Sequence, residues 1–145
     1  MSSIPAGQLA ARLVESFGRP DDIVAVLAED AVWWISPTVP PEIMLNESAG
    51  RETIRGNMER VFSLLYNPQT VRTTVKHTIT EGHVGAVRFT MNAEFPNGGT
   101  YENEYTVWVE VVDGEITKVW EYCDAAWAVM QMQAAGIDVQ PAGSA

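Results

Sequence analysis

Val112-Asp113-Gly114-Glu115-Ile116-Thr117-Lys118-Val119-Trp120-Glu121-Tyr122-Cys123-Asp124 reads in order as a tight turn, a strand and a helix cap. Asp-Gly between apolar runs is a strong hairpin signal. The run after it is rich in β-branched and aromatic residues, which suit a pleated surface. Asp124 stands where its side chain can cap a short terminal helix through Ala125, Trp127 and Met130. Moving upstream, three more runs of the same kind precede it: Val71–Thr80, His83–Phe95 and Thr100–Val112. They are parted by Glu81-Gly82 and Asn97-Gly98-Gly99. Four strands joined by tight turns make an antiparallel meander.

The half before the meander reads as helices around one short strand. Leu9, Leu13 and Phe17 recur every fourth residue and form an apolar stripe, which Gly18 ends. Pro20-Asp21-Asp22 opens a second helix with core residues Ile23, Val26 and Leu27. Ala31–Ile35 is a β-type run, and a proline-rich loop follows from Pro37 to Asn46. Ser48 or Gly50 then caps a third helix, with Ile54, Met58, Val61, Phe62 and Leu65 on one side and Arg51, Arg55, Glu59 and Arg60 largely on the other.

Register decides which side chains reach the core. In His83–Phe95 the odd positions Val87, Phe89, Met91, Ala93 and Phe95 are apolar, and the even positions Arg88, Thr90, Asn92 and Glu94 are polar. In Thr100–Val112 the odd set is Tyr101, Asn103, Tyr105, Val107, Val109 and Val111. A three-residue loop at Asn97-Gly98-Gly99 sets odd beside odd, whereas a two-residue turn would mix the faces. The same reasoning gives a three-residue loop at Thr80-Glu81-Gly82. At the last hairpin two registers remain open from pattern alone. A three-residue turn, Val112-Asp113-Gly114, faces Thr117, Val119, Glu121 and Cys123 inward. A two-residue turn, Asp113-Gly114, faces Ile116, Lys118, Trp120 and Tyr122 inward instead.

Composition bounds the function. The chain has 145 residues, 46% of them hydrophobic and 19% charged. That fits one globular domain over residues 1–139, with 140–145 as a flexible tail. The formal net charge of −10 argues against nucleic-acid binding and against docking on anionic membranes. No apolar run approaches the ~18 residues of a membrane-spanning helix. Met1-Ser2-Ser3-Ile4-Pro5 lacks the basic and apolar regions of a signal peptide. A lone cysteine, Cys123, cannot form an internal disulfide, so a reducing, cytoplasmic setting is expected.

Two leading helices, a short strand, a long helix and a curled meander resemble the nuclear transport factor 2-like superfamily, which includes the ketosteroid isomerases. Within it the chain looks most like the SnoaL-like and limonene-epoxide-hydrolase-like proteins. Ala28-Glu29-Asp30-Ala31-Val32-Trp33-Trp34, Gly50-Arg51-Glu52 and Asp113–Asp124 carry the resemblance. It implies an α+β fold: a cone-shaped barrel of strongly curved mixed sheet, made of the four-stranded meander plus the short N-terminal strand, packed on three helices. It also implies a hydrophobic pocket in the open end of the cone, a homodimer and no cofactor or metal. In such proteins an acid near the end of the last strand points into the cone, and the matching residue is Glu121. That favours the three-residue turn.

Glu121 and His77 are therefore the candidate catalytic residues. A carboxyl in apolar surroundings titrates near the working range of an acid/base catalyst. His77 has the apolar parity of Val71–Thr80, and histidine suits proton transfer near neutral pH. A glutamate on a solvated face and a core or rim histidine are the structural alternatives. Asn103 and Tyr105 have inward parity and can bind a substrate oxygen. Trp34, Phe62, Phe89 and Met91 are expected as pocket wall, and Tyr66 as closing the wide end. Trp33 and Trp34 are adjacent, so only one of them faces in. His83, beside a turn, is expected in solvent. The even face of the meander carries Glu102, Glu104, Glu110, Arg88 and Trp108, a surface that suits a sheet-to-sheet dimer contact.

The patterns for two other chemistries of this superfamily are incomplete. Ketosteroid isomerases use an aspartate ending the first strand and a tyrosine on the first helix. Here that strand ends Ile35-Ser36-Pro37, and no tyrosine precedes Tyr66. Family epoxide hydrolases need an arginine between two acids in the cone, and Arg88 has outward parity. Three readings stay open. One is a cofactor-independent lyase, dehydratase, isomerase or cyclase acting on a small apolar or polycyclic molecule. A second is a non-catalytic ligand-binding domain, and a third is a protein-recognition module.

Overall fold

The structure is a computed structural model that describes residues 3–141. Of the expected tail, all but Gln140 and Pro141 lies outside the described residues. Two helices, α1 (Ala6–Glu15) and α2 (Pro20–Val24), lead into strand β1 (Leu27–Ile35). A short strand β2 (Glu47–Ala49) precedes the long helix α3 (Arg51–Leu65). The meander follows as β3 (Arg72–Glu81), β4 (Val84–Glu94), β5 (Thr100–Val112) and β6 (Glu115–Cys123), and helix α4 (Ala125–Ala134) closes the described chain.

All six strands form one curved, unclosed mixed sheet in the order β2-β1-β6-β5-β4-β3. β1 runs parallel to β6, and every other pair is antiparallel. This is the cone architecture expected from the sequence, with two local additions. β2 falls where only a helix cap was expected, and pairs Trp33 with Ser48. β1 begins at Leu27 rather than Ala31, because Leu27 pairs with Ile116 and the Val26 carbonyl accepts the Ile116 N–H at 3.0 Å. Sheet pairing thus overrides the helical pattern around Val26 and Leu27.

The hairpins explain the curvature. At the β4–β5 loop odd does face odd: Phe89 pairs with Tyr105 and Met91 with Asn103. The other two hairpins differ from the expected three-residue loops. Glu81 pairs with Val84, and Val112 with Glu115, leaving two-residue turns at Gly82-His83 and Asp113-Gly114. Asp113 and Gly114 both have positive φ, 51° and 80°, as a type I′ turn requires. Each short turn has a bulge in one of its strands that shifts the register by one residue: between Val75 and His77 in β3, before its turn, and opposite Glu110/Val111 around Thr117 in β6, after its turn. Ile116 therefore faces inward as the short turn demands, yet beyond the bulge Val119 and Glu121 face inward as well. Bulges bend a strand and add to its twist, which curls the sheet.

α1 lies across the concave end of β3 and β4 with Leu9, Leu13 and Val14 buried. The approach is close because Gly85 lacks a side chain: a Cβ there would sit 2.2 Å from the Ala6 carbonyl carbon. On the convex face Trp34, Trp120 and Trp108 are paired in register across β1, β6 and β5. The Lys118 ammonium lies 5.0 Å from the Trp120 ring centroid.

Candidate functional site

Between the concave sheet, α3, α4 and the loop after β1 lies a cavity of about 600 Å³, its open mouth included. Val39, Ile43 and Met44 wall it from the loop, Phe62 from α3, and Ala128 and Met132 from α4. Arg60 on α3 holds the loop by donating to the carbonyls of Glu42 (3.1 Å) and Ile43 (3.0 Å). The lining is predominantly apolar and aromatic, as small-molecule sites usually are.

Glu121 is the single carboxylate among the described lining residues, and no lysine, arginine or histidine joins it. β6 carries it in register with Ile35 on β1 and Val107 on β5. The residue is only 7% exposed. Burial raises its pKa to about 7, against the opposing pull of a hydrogen bond donated by Trp33. That bond runs from the indole Nε1 to Oε1 at 2.9 Å. Oε2 accepts no hydrogen bond from the described residues, yet no buried polar atom there is orphaned. Oε2 therefore opens onto the cavity.

A cluster of phenols stands on the neighbouring strand β5 and at the end of α3. Tyr101 and Tyr105 line the cavity, and their hydroxyl oxygens are 2.6 Å apart. The Tyr66 ring lies 5.3 Å from that of Tyr101. Burial pushes all three phenols upward, so they are neutral donors across the physiological range. Burial, then the charges of Glu121 and Asp124, pushes the Cys123 thiol up to about 12, which leaves it a poor nucleophile.

Of the residues singled out from sequence, Glu121, Tyr105, Phe62, Tyr66 and Met91 line this cavity. Four do not. His77 is exposed on the outer face, with Nδ1 3.3 Å from the Arg88 guanidinium. The bulge after Val75 turned it there, so it forms no pair with Glu121. Trp34 lies on the convex face against Tyr122, with ring centroids 5.2 Å apart, while its neighbour Trp33 is fully buried. Phe89 is buried behind the wall, stacked on Tyr105 at 5.2 Å. Asn103 is buried but holds Tyr101 rather than lining the cavity. Sequence reasoning passed over Trp33 and Tyr101. The signal for each was present: Trp33 shares its parity with Ala31 and Ile35, and Tyr101 shares that of Asn103 and Tyr105. Arg88 is outward as its parity implied, paired with Glu104 at 2.6 Å.

Fold and cavity together define a nuclear transport factor 2-like protein, a half-open cone around an apolar cavity. The SnoaL-like domain family matches residues 11–119, and the chain belongs to that family. No curated protein matches the sequence. Among solved structures, TerC co-crystallised with polyporic acid superposes with a TM-score of 0.76 at 16% identity, over 90% of this chain and 99% of that one. A protein with a ketosteroid isomerase-like fold from Catenulispora acidiphila, solved with trimethylamine, gives 0.71 at 14% identity, over 90% and 94%. A candidate polyketide cyclase from Xanthomonas campestris gives 0.67 at 20% identity, over 87% and 95%. At these identities the likeness is one of fold. No helix among the described residues is long and apolar enough to cross a membrane.

Proposed function

We propose that the protein is a cofactor-independent general acid/base enzyme, a lyase or dehydratase or an isomerase or cyclase, acting on a small apolar or polycyclic substrate in the cone. One observation carries the reading. Glu121 is a solitary buried carboxylate with a pKa near 7, one oxygen held by Trp33 and the other open to an apolar cavity. A carboxylate so placed takes a proton from the carbon beside a carbonyl. The electron pair moves onto the carbonyl oxygen, where the Tyr105 hydroxyl can donate. Glu121, now neutral, returns the proton to another carbon or to a leaving group. His77 has no part in this scheme. Family fellowship and the polyketide-cyclase-like neighbour support the class of chemistry, not a substrate.

The test is deuterium exchange beside the carbonyl of 2-tetralone, a compact bicyclic ketone. Wild-type protein is expected to accelerate it, and Glu121→Gln to lose roughly 10²–10⁴-fold of that acceleration. Equal rates in the two proteins would remove Glu121 from the chemistry.

A non-catalytic ligand-binding domain is the second reading. It is favoured by the absence of a second carboxylate or histidine from the described lining. A small molecule that co-purifies from the host and is held unchanged by wild type and Glu121→Gln alike would support it.

The chain is further proposed to pair as a homodimer through the convex sheet face. The in-register tryptophans there, with Trp108 and Tyr122 each 43% exposed, support that arrangement.

A further inference from the structure

The hydrogen bonds behind the cavity wall have a direction that the backbone fixes. Asn103 Oδ1 accepts from the Glu104 N–H at 2.8 Å, and a backbone N–H can only donate. Asn103 Nδ2 donates to the Asp124 carbonyl at 2.9 Å, and a backbone carbonyl can only accept. The amide therefore has one orientation. Its remaining N–H points at the Tyr101 hydroxyl oxygen, 3.0 Å away, which must accept. The Tyr101 proton is directed elsewhere, and Tyr105 Oη lies 2.6 Å off. Tyr66 is the other phenolic partner of Tyr101, and the 2.6 Å separation makes Tyr105 the stronger acceptor. With Tyr101 donating there, the order is Asn103 N–H to Tyr101 O–H to Tyr105 O–H, and the last proton has no protein acceptor among the described residues. Each donor in such a chain polarises the next.

We infer that Asn103 sets the polarity of the Tyr101–Tyr105 pair, so that Tyr105 presents a free O–H to the cavity and the site selects ligands through an acceptor oxygen, of the ketone, quinone or ester type. Asn103 is then a positioning residue that never touches the ligand. It occupies a lone pair of Tyr101 that would otherwise be open to a donor. Tyr105 is set for direct contact, its ring backed by Phe89. A ligand that offers only a donor finds no lone pair arranged for it and leaves the Tyr105 proton unmatched, which a buried site penalises heavily. The inference rests on reading the cavity as a small-molecule site. It does not require Glu121 to move a proton.

The test compares 2-tetralone with tetralin, the hydrocarbon of the same shape without the oxygen. Binding is followed by protein fluorescence, and the bound ketone by its infrared carbonyl stretch. Wild type is expected to prefer the ketone by about tenfold or more, with the stretch shifted to lower frequency. Tyr105→Phe should bring the preference near unity and abolish the shift. Asn103→Asp should do the same with tetralin affinity kept, because a carboxylate demands the Tyr101 proton, turns Tyr105 back toward Tyr101 and leaves no free O–H. A merely structural role for Asn103 would weaken both ligands together and leave the ratio unmoved. Should Asn103→Asp fail to fold, Tyr101→Phe keeps the ring, cuts the chain and must also lower the ratio. No ketone preference in wild type, whether from equal affinity or from no binding, overturns the inference, as does a ratio untouched by these variants. Loss of deuterium exchange in Glu121→Gln without a ketone preference sinks this inference alone. A ketone preference without exchange sinks the acid/base reading alone.

Discussion

The indole N–H of Trp33 is 2.9 Å from Oε1 of Glu121, and it is the one hydrogen bond this carboxylate receives from the described residues. It joins β1 to β6 across their parallel pairing. A hydrogen bond to the charged form favours ionisation, whereas burial opposes it. Trp33→Phe should therefore move the Glu121 pKa upward from about 7. Carbon NMR of the labelled glutamate carboxyl, followed through a pH titration, reads this directly. The variant should also lose about 1–3 kcal/mol of stability above pH 7, where the lost acceptor is charged. A titration that superimposes on wild type would show that the indole does not tune the acid.

Glu121 also makes stability depend on pH, with a definite sign. Its folded pKa, about 7, lies above the ordinary value of 4.5, so the native state binds the proton more tightly than the unfolded chain. The stabilisation from Glu121 is full below about pH 4.5 and is lost as pH rises through 7. Replacing it by glutamine removes that loss. Glu121→Gln should gain on wild type between pH 5 and pH 8 by up to about 3 kcal/mol, on the order of 1.4 kcal/mol per pKa unit. Urea unfolding of both proteins at the two pH values tests this. A difference independent of pH would mean that Glu121 titrates alike in the folded and unfolded chains.

Two glycines separate backbone approach from helix propensity. A Cβ at Gly85 would meet Ala6 backbone at 2.2 Å and Gly7 N at 2.3 Å, so Gly85→Ala must push α1 off the sheet. Overpacking of this kind costs about 1–3 kcal/mol, and backbone yields less readily than side chains. Gly56, exposed in the interior of α3, meets nothing within 4 Å. Gly56→Ala should gain about 0.5–1 kcal/mol from helix propensity. Thermal unfolding should move in opposite directions for the two variants.

Parity explains how much of this was legible in the sequence. The parity of the β4–β5 hairpin was readable because both strands alternate cleanly and a three-residue loop sets odd beside odd. The loop itself falls one residue earlier than expected, at Pro96-Asn97-Gly98, which brings Phe89 beside Tyr105 rather than Val107. The inward face of β5, with Tyr101 and Tyr105, followed from that pairing. The bulges after Val75 and around Thr117 were not readable. A bulge is fixed by how a strand meets its neighbour, and the sequence shows one strand at a time. Near Thr117 the two-residue turn and the inward Glu121 had looked mutually exclusive, and the bulge reconciles them. At β3 the same device removed His77 from the cavity. β2 is a three-residue strand, too short to show a period, so its place was invisible.

The convex face supplies the last test. Trp34, Trp120 and Trp108 align across three strands, with Lys118 over the Trp120 ring and Arg88 paired to Glu104 nearby. Aromatic rings beside mixed charge suit an interface more than open solvent. A charge at the centre of such a patch would be desolvated on pairing. Trp108→Glu should therefore raise the dimer dissociation constant by about a hundredfold or more, while the exposed position leaves the monomer fold intact. Sedimentation velocity across a concentration series measures the change. Wild type is expected to sediment as a dimer and the variant as a monomer at the same micromolar concentration. A monomeric wild type would refute pairing through this face, as would a dimer indifferent to the glutamate.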